Sequence, residues 1–218
     1  MKIEWIGHAC FCITSEKGLK IVTDPYETGF RNIINYGAVD ESADIVTVSH
    51  EHGDHNNVAA VSGDPAVVKE KGTKSVKGIE FKGIGVYHDQ AKGAERGPNT
   101  IFVFEVDGIR IAHLGDLGHP LSAEELKELE GTEVMLAPTG GPMATLEVQE
   151  AIDVWESIKP AVVIPMHFKT EKCSFPRYSA EDLVSLRPAA KKMESSSVSL
   201  EKGGLPAPIE IMILEPSR

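Results

Sequence analysis

The run His50-Glu51-His52-Gly53-Asp54-His55 places three imidazoles and the Asp54 carboxylate within six residues. Neutral imidazole nitrogen and carboxylate oxygen are preferred ligands of zinc and its neighbours. In an extended turn His50 and His52 point to one side while Asp54 and His55 reach a second position, so one short loop can feed two cations. The bland alternative is a solvated polar loop, and so dense a cluster of ligand types makes it the weaker reading. The other histidines are His8, His88, His113, His119 and His167. Most close an apolar run: Val86-Tyr87 leads to His88, Ile111-Ala112 to His113 and then Asp116, and Val163-Ile164-Pro165-Met166 to His167. Strand ends gathered on one edge of a sheet are where ligands and metals collect. Taken singly, His88 and His167 read as core histidines and Asp116 as a turn cap before Gly118. Behind a complete first cluster, the metal reading wins for all three.

These groups need strands to carry them. Apolar runs predict strands over Lys2–Gly7, Cys10–Thr14, Lys20–Thr23, Asp44–Val48, Ala66–Lys69, Gly83–His88, Ile101–Val106, Arg110–His113, Glu133–Ala137, Ala161–Pro165 and Glu210–Leu214. Asp107-Gly108 is a hairpin signal. Ser122 with Glu125 forms a capping box opening a helix toward Gly131, Thr145–Ile158 has helical apolar spacing before Pro160, and Ser179 with Asp182 opens a third helix stopped by Pro188. The Ser-, Gly- and Pro-rich stretch from Lys191 to Pro208 reads as a surface loop. The expected class is α/β, with two packed sheets covered by helices in a single domain over residues 1–218.

The 218 residues carry a net charge of −11, and the basic residues are scattered, which disfavours a polynucleotide partner. A small anionic substrate stays open, because metals supply local positive charge. No apolar run approaches the length of a membrane span and no signal peptide is evident, so the cytoplasm is the default expectation. Cys10, Cys12 and Cys173 are too few and odd in number for a disulfide framework. A Cys10-Phe11-Cys12 metal site is the lesser alternative to two small hydrophobes on one strand face.

With these motifs on the page, the chain resembles the metallo-β-lactamase superfamily. His50, His52, Asp54 and His55 match its H-x-H-x-D-H signature, and His88, Asp116 and His167 match its later motifs in order. Trp5-Ile6-Gly7-His8-Ala9 and Thr23-Asp24-Pro25 further resemble the branch of ascorbate-6-phosphate lactonase-like proteins and predicted metal-dependent hydrolases. The resemblance implies a four-layer αββα sandwich with a dinuclear site on one edge. It implies that His50, His52 and His88 bind one metal, that Asp54, His55 and His167 bind the other, and that Asp116 bridges them. The metals would be zinc, with manganese or iron as alternatives, and typically ~3.5–4 Å apart. The di-iron branch has Glu at the second ligand position. Here His52 stands there, which favours a hydrolase over a redox enzyme.

The expected function is hydrolysis of an ester-type bond, phosphodiester or lactone, in a small soluble anionic substrate. Asp54 would orient the nucleophile, and His119, on the loop after Asp116, would face substrate or donate a proton. Arg96 could grip a phosphate or carboxylate, and Gly141 could let backbone amides approach a ligand. His8, Asp24 and His113 would orient the ligands from behind. The competing readings are a non-catalytic metal-binding sensor or scaffold and a nucleic-acid phosphodiesterase. No membrane partner is expected; a homo-oligomer is compatible with the branch.

Overall fold

The computed structural model describes every residue except Met143. The strands in chain order are β1 (Lys2–Gly7), β2 (Cys10–Thr14), β3 (Lys20–Thr23), β4 (Ile45–Thr47), β5 (Ala66–Val68), β6 (Gly72–Val76), β7 (Ile79–Tyr87), β8 (Pro98–Val106), β9 (Ile109–His113), β10 (Val134–Pro138), β11 (Val162–Met166), β12 (Lys191–Lys192), β13 (Ser197–Ser199) and β14 (Glu210–Ile213). The helices are α1 (Ala123–Glu128), α2 (Val148–Ile158) and α3 (Ala180–Leu186). One sheet runs β13-β1-β2-β3-β4-β5 and the other β12-β14-β11-β10-β9-β8-β7-β6. Both are mixed: β3, β4 and β5 run parallel, as do β9, β10, β11 and β14.

Side chains of the smaller sheet alternate with period two between two cores. Ile3, Trp5, Phe11, Ile13, Ile21 and Ile45 enter the large core, which they share with Phe81, Ile101, Phe102 and Ile111 of the facing sheet. Ile6, Cys10, Cys12, Val22 and Val46 face outward into a second cluster with Tyr26, Ile34, Tyr36 and Val61. On that outer face the cover comes from the segments around residues 26–43 and 58–61, with single 3-10 turns at Phe30–Asn32 and Val58–Ala60. Against the larger sheet α2 packs on β10, and its Val148, Ala151, Ile152, Val154 and Trp155 are buried.

Several boundaries differ from the sequence expectation. Gly72–Val76 is not among the predicted strands, yet it pairs antiparallel with β7 as an exposed edge strand. An edge strand needs no apolar face, so periodicity misses it. For the same reason the Lys191–Pro208 stretch is not wholly loop: β12 extends β14 and β13 pairs with β1. The second helix begins at Val148 rather than Thr145, because the Glu150 carboxylate accepts the Glu147 amide at 3.0 Å and the Thr145 amide turns back to the Gly141 carbonyl. The Ser122–Glu125 capping box forms in both directions, at 2.7 and 3.2 Å.

Candidate metal centre

The cluster assembles where the chain leaves its strands at one edge. The loop after β4 carries His50, His52, Asp54 and His55; His88 follows β7, Asp116 follows β9 and His167 follows β11. Asp116 sits at the centre. Its Oδ2 lies 3.1 Å from His88 Nε2, 3.2 Å from both His55 Nε2 and His167 Nε2, and 3.9 Å from His50 Nε2. Three groups have their donor atoms within 4.8 Å of one another: His50–His52–His88, His8–Asp54–His55–His167, and Asp24–His50–His55.

Nε2 of His8, His50, His55 and His167, together with Asp116 Oδ1, is buried without a hydrogen-bond partner. Each such atom costs roughly 1–3 kcal/mol if left unsatisfied. Several converging on one point describe a place built for a cation, and the nitrogen–carboxylate mixture suits zinc-type ions.

The charge states agree. Burial opposes ionisation of Asp116, but His167, His55 and His88 outweigh it and hold the carboxyl well below its ordinary range. Burial also opposes Asp54, and its His8 contact and His55 pull it down. Burial, with His55, pushes His50 well below the ordinary imidazole value. Burial and His88 lower His52, and burial with His167 lowers His8 to about 3. His55 differs. Burial pulls it down, but Asp116, Asp24 and Asp54 together raise it well above the ordinary value. Ionised carboxylates and neutral imidazoles are the binding forms, and a cation must displace the proton on His55.

A buried frame aims these rings. Asp24 Oδ2 is 2.9 Å from His55 Nδ1, which assigns the proton to Nδ1 and leaves Nε2 facing Asp116. Asp24 also accepts the Ser49 amide at 2.8 Å and the Ser49 hydroxyl, and that hydroxyl lies 2.9 Å from His50 Nδ1. One carboxylate thus orients two imidazoles. Asn99 does the same for Asp116: its Nδ2 donates to the Leu114 carbonyl at 2.9 Å and its Oδ1 accepts the Asp116 amide at 3.1 Å. Between them Gly115 has φ +55, and a Cβ there would sit 2.4 Å from Asn99 Oδ1.

The other expected site residues are placed unequally. Arg96 lines the pocket above the cluster. His8 lies inside the cluster rather than behind it. His113 is buried beneath, its Nε2 3.0 Å from the Ala9 carbonyl. His119 is a correction: its Nε2 accepts the Tyr87 amide at 3.1 Å, its Nδ1 lies 2.9 Å from the Pro120 carbonyl, and it does not line the pocket. With both nitrogens engaged it holds a turn. Gly141 is a second correction. It has φ +95 and a Cβ would meet the Tyr178 ring at 2.5 Å, so packing demands glycine there. Cys10 and Cys12 face the outer core, and burial first of all raises both thiols, so neither is a ligand.

Sequence reasoning missed Arg31, Phe30, Ile33 and Phe175, which line the same pocket. It also missed Asp89, whose carboxylate accepts the amides of Ala91, Gly93, Glu95 and Arg96 at 2.7–3.2 Å and so folds the loop carrying Arg96. An Asp directly after a strand-ending histidine and before a Gly-rich stretch was its available signal. Asn99, polar inside an apolar strand pattern, was another.

The model of the Beta-lactamase superfamily domain matches residues 2–167, which contain every residue of the cluster. A UPF0173 metal-dependent hydrolase from Pyrococcus abyssi is 31% identical over 195 residues, covering 78% of this chain and 85% of the relative. A UPF0173 protein from Pyrococcus furiosus is 31% identical over 204 residues, covering 86% and 92%. Among solved structures, a metallo-beta-lactamase superfamily protein from Thermotoga maritima, assigned to the zinc-dependent hydrolases, aligns with a TM-score of 0.79 at 33% identity, covering 98% of this chain and 99% of that one. The sequence match, the two-sheet fold and the buried histidine–aspartate cluster agree: the chain belongs to the metallo-beta-lactamase superfamily, as a metal-dependent hydrolase of the UPF0173 family.

Proposed function

We propose that the cluster holds two divalent cations, zinc in the first instance, and that the protein hydrolyses an ester-type bond in a small anionic substrate. His50, His52 and His88 serve one cation, Asp54, His55 and His167 the other, and Asp116 both. The bond is a phosphodiester or a lactone. When bound, such ions supply a water acidified toward a pKa of about 7 and stabilise negative charge developing on the substrate.

The observation that carries the substrate class is the rim of the pocket. A cavity of about 410 Å³ is lined by His52, Asp54, His88 and Asp116 at its base and by Arg31 and Arg96 above them. The arginine ion pairs among the described residues belong to Arg187 and Arg218, so neither rim guanidinium is neutralised by a neighbour. A planar fork of donors grips a phosphate or carboxylate bidentately. Phe30, Ile33 and Phe175 form an apolar wall for the remainder of the molecule. Asp54, ionised and lining the pocket, accepts a proton-bearing nucleophile and orients it. The net charge of −11 and the size of the cavity favour a metabolite over a polynucleotide.

The test is a paired rate measurement on metal-loaded protein, an activated anionic phosphodiester against an activated anionic lactone, each with and without chelator. Faster chelator-sensitive phosphodiester cleavage selects small diesters, and faster lactone opening selects sugar-derived lactones. Chelator-insensitive or absent turnover on both, with metal bound, sinks the catalytic reading in favour of a metal-binding sensor.

A further inference from the structure

His8 is the residue of the cluster that the metal-binding signature does not account for. It follows β1 in a turn that only unusual backbone permits. Gly7 has φ +152, and a Cβ there would lie 2.8 Å from the Tyr36 ring. His8 itself has φ +53, in the left-handed region that a bulky side chain rarely enters. Such strain persists where surrounding contacts over-determine it. Here the His8 carbonyl accepts both the Trp5 indole at 3.0 Å and the His167 amide at 3.1 Å. These bonds fix the turn and leave the imidazole pointing into the cluster.

The ring is wholly buried, and its Nε2 has no hydrogen-bond partner. It stands 4.0 Å from the His167 ring and 4.9 Å from the His55 ring, centroid to centroid. Nε2 is 3.4 Å from Asp54 Oδ2. That is long for an N–H···O hydrogen bond, which runs about 2.7–3.2 Å. It suits two donors on one ion, whose separation runs roughly 3.0–3.4 Å when each bond is about 2.1 Å. The other nitrogen faces the Cys173 sulfur at 4.0 Å, which leaves Nε2 free to donate its lone pair.

We infer that His8 is an additional protein ligand at the Asp54–His55–His167 cation position. This rests on the proposed metal reading of the cluster. The two positions then differ in kind. The one at His50, His52 and His88 keeps an open flank, because His52 is exposed and lines the pocket. The one holding His8 has four donors of its own, of which Asp54 alone lines the pocket. A fuller set of protein donors leaves fewer positions for water or substrate. The structure therefore assigns tighter retention to the His8 position and easier loss to the His52 position.

The direct test uses the full chain with nitrogen-labelled histidine, loaded with a spin-active isotope of cadmium, and reads metal–nitrogen scalar couplings by NMR. Couplings to His55, His167 and His8 support the inference. Couplings to His55 and His167 without one to His8 overturn it and leave the metal reading standing. No coupling to any of the three overturns the metal reading itself. A zinc titration of His8→Gln is the companion measurement, expected to weaken one of two binding events by roughly 100-fold while the other persists. An unchanged two-site isotherm also overturns the inference. If the variant does not fold, the coupling measurement on the unmodified chain decides alone.

Discussion

On the floor of the pocket, His55 and Ser49 lean on Asp24, Ser49 orients His50, and Asn99 holds the segment that carries Asp116. At the rim, Arg31 and Arg96 extend from exposed turns, one stacked 5.1 Å over Phe30 and the other on a loop tied together by Asp89. Asp24, His50, His55 and Asp116 on the floor are buried, and each is held by at least one neighbour. The rim guanidiniums have no ion pair among the described residues. Catalytic geometry tolerates little displacement, whereas recognition of an anion by a guanidinium tolerates more. A floor that is over-determined and a rim that is not let one reaction be retained while its substrate varies.

The harshest way to break this contrast is at its centre. Asp116→Ala is expected to remove bound metal and to lower turnover by roughly a thousandfold or more, corresponding to several kcal/mol of transition-state stabilisation. The circular dichroism spectrum is expected to remain near native, because the sandwich core does not depend on Asp116. Full activity with normal metal content in that variant would falsify the site. Chelation of the unmodified protein is expected to have the same effect, reversed by adding zinc.

The support beneath the floor comes next. Asp24→Asn keeps the size but weakens the acceptor that orients His55 and Ser49. The expected outcome is a loss of about 10- to 100-fold in zinc affinity, read by titration. An equal loss in a rim variant would erase the distinction between the two regions.

The rim itself is expected to act on binding alone. Arg96→Ala should raise KM for an anionic substrate about tenfold, or 1.4 kcal/mol, with kcat nearly unchanged. A neutral analogue should show no such change. A collapse of kcat instead would place Arg96 in the chemical step.

The smallest effect concerns pH. His113 is buried under the floor, and burial holds its pKa below the ordinary value, against the pull of Asp24. The unfolded chain therefore binds this proton before the folded one does. Stability from this group is fully present above the unfolded value of about 6.5 and is lost as pH falls below it. In metal-free protein, His113→Gln should make the fall in melting temperature between about pH 7 and pH 5 shallower. An unchanged slope would mean that the fold does not depress the pKa of His113.

Much of this was legible in advance because strand-plus-histidine is a local pattern. An apolar run of three to five residues ending in His or Asp announces both the strand and the group at its tip, as at β4, β9 and β11. The edge strands β6 and β13 were illegible, since none of their residues is buried and neither carries an apolar alternation. His119 misled because a histidine beside Asp116 in sequence turns its nitrogens to the Tyr87 amide and the Pro120 carbonyl. Gly141 misled because the need for glycine came from Tyr178, distant in the chain.

The sequence by itself determined the donor types, their order along the chain and the strands that end in them, because each is encoded within a few neighbouring residues. Only the tertiary structure decided which donors meet. Packing two sheets face to face brings the ends of β1, β4, β7, β9 and β11 to one edge, and the same packing sets His8 against His167 and puts Arg31 and Arg96 on one pocket. No local pattern carries those meetings, because they follow from how a shared core of apolar side chains closes.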